Sequence, residues 1–282
     1  MIGYRSSCLA LLLTRSRPRF WFYLAGPVLV GAAFGASTVP DLFDPWLWAL
    51  FGYFLIPANL YLYGINDVFD ASIDRSNPKK HGPERRFTGD QVTVVSSVIS
   101  GVLGLGLVIG LPAESAIWVL GFLVLGAAYS APPLRFKTTP FLDSLSNGLY
   151  ILPAGAAYML LAGSIPPLAA VVGGWLWAMA MHTYSAIPDI EPDRTAGIRT
   201  TATVLGHRTT LWYCGVCWAL AAVGFGVLDV RAGLLLAVYP VFLGLTSLSQ
   251  LPATRTYWWF PAINVIVGAI LTLGGLRRVI YG

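Results

Sequence analysis

Nine stretches of the chain run for 20 residues or more without an Asp, Glu, Lys or Arg. They are residues 20–40, 45–66, 91–113, 115–134, 144–163, 166–188, 209–228, 232–254 and 256–276. A bilayer core about 30 Å thick is crossed by a helix of about 20 apolar residues. Membrane β-strands are shorter and alternate in polarity, so the stretches read as helices. Charged residues make up 11% of the 282-residue chain, against about 25% in soluble domains. That excludes an ordinary soluble domain, a disordered chain and a disulfide scaffold. The expected fold is all-α: one polytopic domain over residues 1–282, with nine transmembrane helices around a central cavity.

The basic residues set an orientation. With nine spans and a cytoplasmic N-terminus, 15 of the 18 Lys and Arg residues fall on the cytoplasmic side. Arg231, Arg277 and Arg278 alone fall on the other. This is the positive-inside bias of multi-pass proteins. It places the chain in the cell membrane and reads the net charge of +5 as a topology signal. Charges confined to short loops between apolar spans exclude a nucleic-acid partner. The apolar run at residues 8–13 is short and is followed by Arg15, Arg17 and Arg19. That order is wrong for a cleaved signal and fits an interfacial lead-in. Cys214 and Cys217 sit in an apolar stretch without metal partners and read as packed thiols.

The acids are scarce and clustered. Asn66, Asp67, Asp70 and Asp74 have spacings that put them on one helical face at the end of the second span. Like charges so placed repel, and charge beside hydrocarbon is costly. A divalent cation removes the repulsion, and oxygen-only ligands on a partly hydrated site suit Mg2+. Asp189 and Asp193 end the sixth span in the same way, so D-x-x-x-D-R occurs twice. Each copy follows the second helix of a four-helix block, which suggests a weak internal repeat with two facing acidic clusters. Glu84, Asp90 and Glu191 have no supporting spacing and read as solvated charges paired with nearby arginines. Two acidic clusters with cations between them form a diphosphate site, metal ions bridging carboxylate to phosphate. Candidate cations are Arg75, Lys79 and Lys80, then Arg135 and Lys137, then Arg194 and Arg199.

These residues resemble the UbiA superfamily of intramembrane prenyltransferases. The likeness rests on N-D-x-x-D-x-x-x-D at Asn66–Asp74, D-x-x-x-D at Asp189–Asp193, Y-S-x-P-P-L-R-x-K at Tyr129–Lys137, and the nine spans. The resemblance implies that a prenyl diphosphate ionises, Mg2+ and cations hold the leaving diphosphate, and an acceptor attacks the allylic cation. It implies one Mg2+ site at Asn66, Asp67, Asp70 and Asp74 and another at Asp189 and Asp193. Asp70, Asp74, Asp189 and Asp193 are then the catalytic acids. Asn66, Arg75, Lys79, Arg135, Lys137 and Arg194 hold the diphosphate. Around Asn66–Lys80 and His182–Thr203 the chain looks like lycopene elongases, which add five-carbon prenyl units to the ends of a linear carotenoid. Their branch implies dimethylallyl diphosphate as donor and lycopene or a derivative as acceptor. The R-x-x-R-P-type segment usual in quinone, haem O and chlorophyll branches is replaced here by Lys79-Lys80-His81-Gly82-Pro83-Glu84-Arg85-Arg86.

Aromatic faces stabilise a cation by about 0.5–2 kcal/mol each. Tyr61, Tyr63, Tyr129, Tyr150 and Tyr184 lie near the motifs, and His182, two turns before Asp189, is a candidate base. A carotenoid cannot be presented from water, so the cavity is expected to open sideways to lipid. Gly101, Gly104, Gly106 and Gly110, or Gly121, Gly126, Ala127 and Ala128, could leave such a gap, or could simply be close helix packing. Two alternatives stay open: prenylation of an aromatic or quinone-precursor acceptor, and an ion or substrate transporter using the acids as its path.

Overall fold

The computed structural model describes residues 8–70 and 89–282, and within them every regular element is helical. In chain order these are α1 Cys8–Arg15, α2 Trp21–Gly35, α3 Pro45–Leu55, α4 Pro57–Asp70, α5 Gln91–Gly110 and α6 Ala113–Ser130. Then follow α7 Leu142–Leu145, α8 Leu152–Ala162, α9 Leu168–Ser185, α10 Ile190–Thr195 and α11 Thr201–Leu228. The last are α12 Val230–Leu236, α13 Val238–Leu248, α14 Ala253–Thr256 and α15 Phe260–Tyr281.

Several starts are written in the sequence. Asp44 caps α3, accepting from Trp46 N at 2.7 Å, with Pro45 at the first helical position. Asp90 caps α5 through Thr93 N at 2.8 Å, and Asp229 caps α12 through Arg231 N at 2.8 Å. Pro57 cannot donate into the preceding turn, so α3 gives way to α4 around Ile56.

Seven helical segments among the described residues are long and apolar enough to cross a membrane, rather than the nine expected. The two other stretches are helical, but α2 has 15 residues and ends at Gly35. The polar run His182-Thr183-Tyr184-Ser185 dilutes the apolarity of α9. The first core cluster joins residues of α2 to α6 and α8, and the second joins α9, α11, α13 and α15. Outward-facing Val98, Val102, Leu105 and Ile109 on α5 are all more than half or nearly half exposed, as on a lipid-facing surface.

Close approach needs glycine at Gly31 and Gly35, where a Cβ would meet the backbone of Ala154 and Tyr158 on α8. The glycines considered for a sideways gap do something different. Gly101 and Gly126 seat the ring of Tyr61, Gly104 that of Tyr53 and Gly110 that of Trp46, so four of them pack closely.

Candidate active site

The last two turns of α4 carry Asn66 and Asp70 four residues apart, and both line one cavity of about 600 Å³. The Tyr129–Lys137 segment folds over them from the end of α6. Ser130 Oγ donates to Asn66 Oδ1 at 3.1 Å. Lys137 Nζ lies 3.0 Å from the same oxygen and 2.5 Å from Asp70 Oδ1. Arg135 Nη2 reaches Asp70 Oδ1 at 3.0 Å and the Phe69 carbonyl at 3.3 Å. Arg135 does so from a φ of 41°, in the left-handed region that costs a side-chain-bearing residue roughly 1–2 kcal/mol. The first acidic motif and the basic loop therefore form one unit.

Asp189 enters the same cavity from the opposite half of the bundle. A short 3-10 turn, Ile187–Asp189, closes α9 and opens into α10, with Pro188 and Pro192 setting the break. Tyr63, Tyr129 and His182 also line the cavity. The Tyr129 hydroxyl lies 3.4 Å from His182 Nε2, with the rings edge to face. Tyr150 faces Tyr63 across 3.5 Å between hydroxyls. Trp177, Tyr257 and Trp258 extend this aromatic wall.

Several expected site residues stand elsewhere. Asp67 is 3% exposed and pairs with Arg15 at 3.2 Å and Arg17 at 3.1 Å, outside the cavity wall. One residue along a helix is a rotation of about 100°, which swings Asp67 off the Asn66 face and towards α1. Asp193 lies in α10 beyond the cavity wall. Arg194 spends its guanidinium on the Thr203 carbonyl, at 2.9 and 3.2 Å, and on Glu191 at 3.0 Å. Tyr184 is 2% exposed, packed on Trp218 and Phe260, its hydroxyl 2.5 Å from Thr256 Oγ1. Asp74, Arg75 and Lys79 lie outside the described residues.

Two cavity arginines escape the spacing argument. Arg17, at φ 50°, lies over the Tyr63 ring at 4.3 Å, and Arg19 lies over Trp258 at 4.3 Å. Both line the cavity, although in the sequence they look like ordinary flanking charge. Outside the spans, Asp90 is pushed up by burial, but the hydrogen bonds from Thr93 and the Arg15 guanidinium hold it below its ordinary value.

The described residues bring no three Asp, Glu, His or Cys groups close enough to enclose a metal. Mg2+ needs no such cage, because it keeps waters and takes one or two carboxylates together with phosphate oxygens. The hard oxygens of Asn66, Asp70 and Asp189 suit that demand, and Arg17, Arg19 and Lys137 stand near to balance further negative charge.

Known proteins match this chain along nearly all of its length. The model of the UbiA prenyltransferase family matches residues 24–276. The lycopene elongase/hydratase of Haloferax volcanii is 56% identical over 282 residues, covering 100% of this chain and 92% of its own. That of Halobacterium salinarum is 58% identical over 272 residues, covering 96% of this chain and 98% of its own. The fold matches a UbiA homolog from Archaeoglobus fulgidus bound to GPP and Mg2+, with a TM-score of 0.73 at 19% identity, over 95% of this chain and 99% of that one. The same homolog bound to DMAPP and Mg2+ gives a TM-score of 0.70, over 96% of this chain and 99% of that one. The transporter alternative falls with these matches: the chain is an integral membrane prenyltransferase and belongs to the UbiA prenyltransferase family.

Proposed function

We propose that the chain transfers a dimethylallyl group from its diphosphate to a linear carotenoid such as lycopene, on the cytoplasmic side of the cell membrane. The observation that carries this reading is that Asn66, Asp70 and Asp189, from motifs more than a hundred residues apart, line one cavity. Its other walls are largely aromatic and apolar, as an isoprenoid requires. The names of the 56% and 58% identical relatives support the carotenoid acceptor.

Asn66, Asp70 and Asp189 would hold Mg2+, with Asp74 and Asp193 completing the two motifs. The metal, when bound, neutralises charge on the departing diphosphate. Lys137, Arg135 and Arg17 add fixed positive charge where negative charge develops, with Arg75 and Lys79 as further candidates from the first motif. Tyr63 and Tyr129 present ring faces to the allylic cation. The aromatic wall keeps water from it until the acceptor's terminal double bond attacks. A new carbon–carbon bond then leaves a tertiary cation on the acceptor, and His182, held by Tyr129, takes up the proton lost from its neighbouring carbon.

The test is to incubate membranes containing the chain with Mg2+, dimethylallyl diphosphate and lycopene. Lycopene extended by one or two five-carbon units is expected, and its mass tells proton loss from water addition. Turnover with an aromatic acid acceptor, and none with lycopene, would move the reading to the quinone-type branch.

A further inference from the structure

We propose that Asp143 is a positioning residue, bracing the second acidic motif against the loop that carries Arg135 and Lys137. The proposal rests on the diphosphate reading above and names what holds its two halves in register.

Asp143 lies in the four-residue helix α7 and is 1% exposed. A carboxylate so buried is expensive unless its oxygens are occupied. Both are, by the first residue of α11. Thr201 N donates to Oδ2 at 2.9 Å, and Thr201 Oγ1 donates to Oδ1. The carboxylate thus sits on a helix N-terminus, where backbone N–H groups and the dipole favour negative charge. The lock is reciprocal, because Phe141 N donates to Thr201 Oγ1 at 2.7 Å. Phe141 adopts a φ of 68°, a left-handed conformation rare for an aromatic residue.

The brace continues in both directions. Upstream, Lys137 lies six positions before Asp143, and its ammonium holds Asn66 and Asp70. Downstream, Thr200 and Thr203 form a reciprocal capping box at the start of α11. The Thr203 carbonyl accepts from Arg194 Nε and Nη2 at 3.2 and 2.9 Å. Gly206 breaks the helical conformation three residues later, at φ 72° and ψ 169°. Arg194 directly follows Asp193 and lies five residues after Asp189. Each link from Lys137 to Arg194 is therefore a short covalent step or a hydrogen bond between named atoms. Next to Asp143, Ser144 Oγ accepts from Thr183 Oγ1 at 2.8 Å, which fixes α7 to the turn of α9 that carries His182.

The experiment titrates Mg2+ with inorganic pyrophosphate into the detergent-solubilised full chain by calorimetry. Thr201→Val removes the hydroxyl and keeps the shape; Thr201→Ser keeps the hydroxyl. Thr201→Val and Asp143→Asn are expected to weaken binding by about tenfold or more, the scale seen when outer partners of metal ligands are lost. Thr201→Ser should bind as the unaltered chain does. If Asp143→Asn fails to fold, the Thr201 pair decides. Thr201→Val that binds as tightly as Thr201→Ser overturns the brace. No binding by the unaltered chain overturns the diphosphate reading itself, and the brace with it.

Discussion

The two acidic motifs share a spacing but are held in opposite ways. Asp70 is gripped from inside the site, by Lys137 and Arg135 reaching across from the loop after α6. The arginine of the second motif faces outward instead, and Arg194 anchors its own segment to the Thr203 carbonyl on α11. Among the described residues the repeated pattern thus hides a difference in what its neighbours reach: Lys137 and Arg135 hold the Asp70 carboxylate, whereas Arg194 ties its own segment to α11. Among the described residues, the arginines that line the cavity, Arg17 and Arg19, come from the N-terminal half.

Four substitutions break or sharpen that contrast. Asp70→Asn and Asp189→Asn test what the motifs share. Each should cut prenyl transfer by about 10³-fold or more while membrane insertion is unchanged, because on the proposed reading the lost carboxylate would hold the metal that offsets charge on the departing diphosphate. Comparable activity in either variant would separate the motifs in function as well as in support. Lys137→Met tests the inner grip and should cost about 10²-fold in kcat/KM, since a buried cation on the Asp70 oxygen is removed. Asp67→Asn, three residues before Asp70 on α4, should leave turnover per folded molecule within a few-fold. It should instead lower stability by about 3–5 kcal/mol, read as the thermal midpoint in detergent, because it breaks a buried ion pair.

The smallest effect is a pH dependence at the start of α5. Asp90 is held below its ordinary value of 3.8, so its charge stabilises the folded chain above that value. The contribution is lost as pH falls through the lower folded value. Asp90→Asn keeps a capping oxygen and should cost under about 1 kcal/mol near neutral pH. Its midpoint should converge with that of the unaltered chain as the pH drops below 3.8.

Seven of the nine expected spans were legible, because hydrocarbon tolerates so few charges that their absence marks them; the absence of charge did not reveal that α2 is short and that α9 ends in a polar run. Helical spacing and one distinctive loop singled out Asn66, Asp70, Arg135 and Lys137, but as metal ligands and diphosphate cations; that Arg135 and Lys137 ion-pair with Asp70 shows only in the fold. Spacing alone could not tell Asp67 from its neighbours, because which flank of α4 meets α1 is a matter of packing. Arg17 and Arg19 carry the same signature as any flanking charge, so only the fold turns them into a cavity wall. Asp143 was silent for a different reason. It stands alone at the edge of an apolar stretch, and its partner is 58 residues away. Asp90, read from the sequence as a solvated charge, caps α5 in the fold, and Asp44 and Asp229 cap α3 and α12.

The network around Asp67 has a practical consequence for anyone shortening the chain. A hydropathy plot invites a cut just before α2, discarding α1 as a dispensable leader. Arg15 and Arg17 would go with it, and they clamp a carboxylate that has almost no access to water. The trimmed protein would keep the helices from α2 onward and yet lose two arginines that hold a buried carboxylate, so the leader is better regarded as a keystone than as a tail.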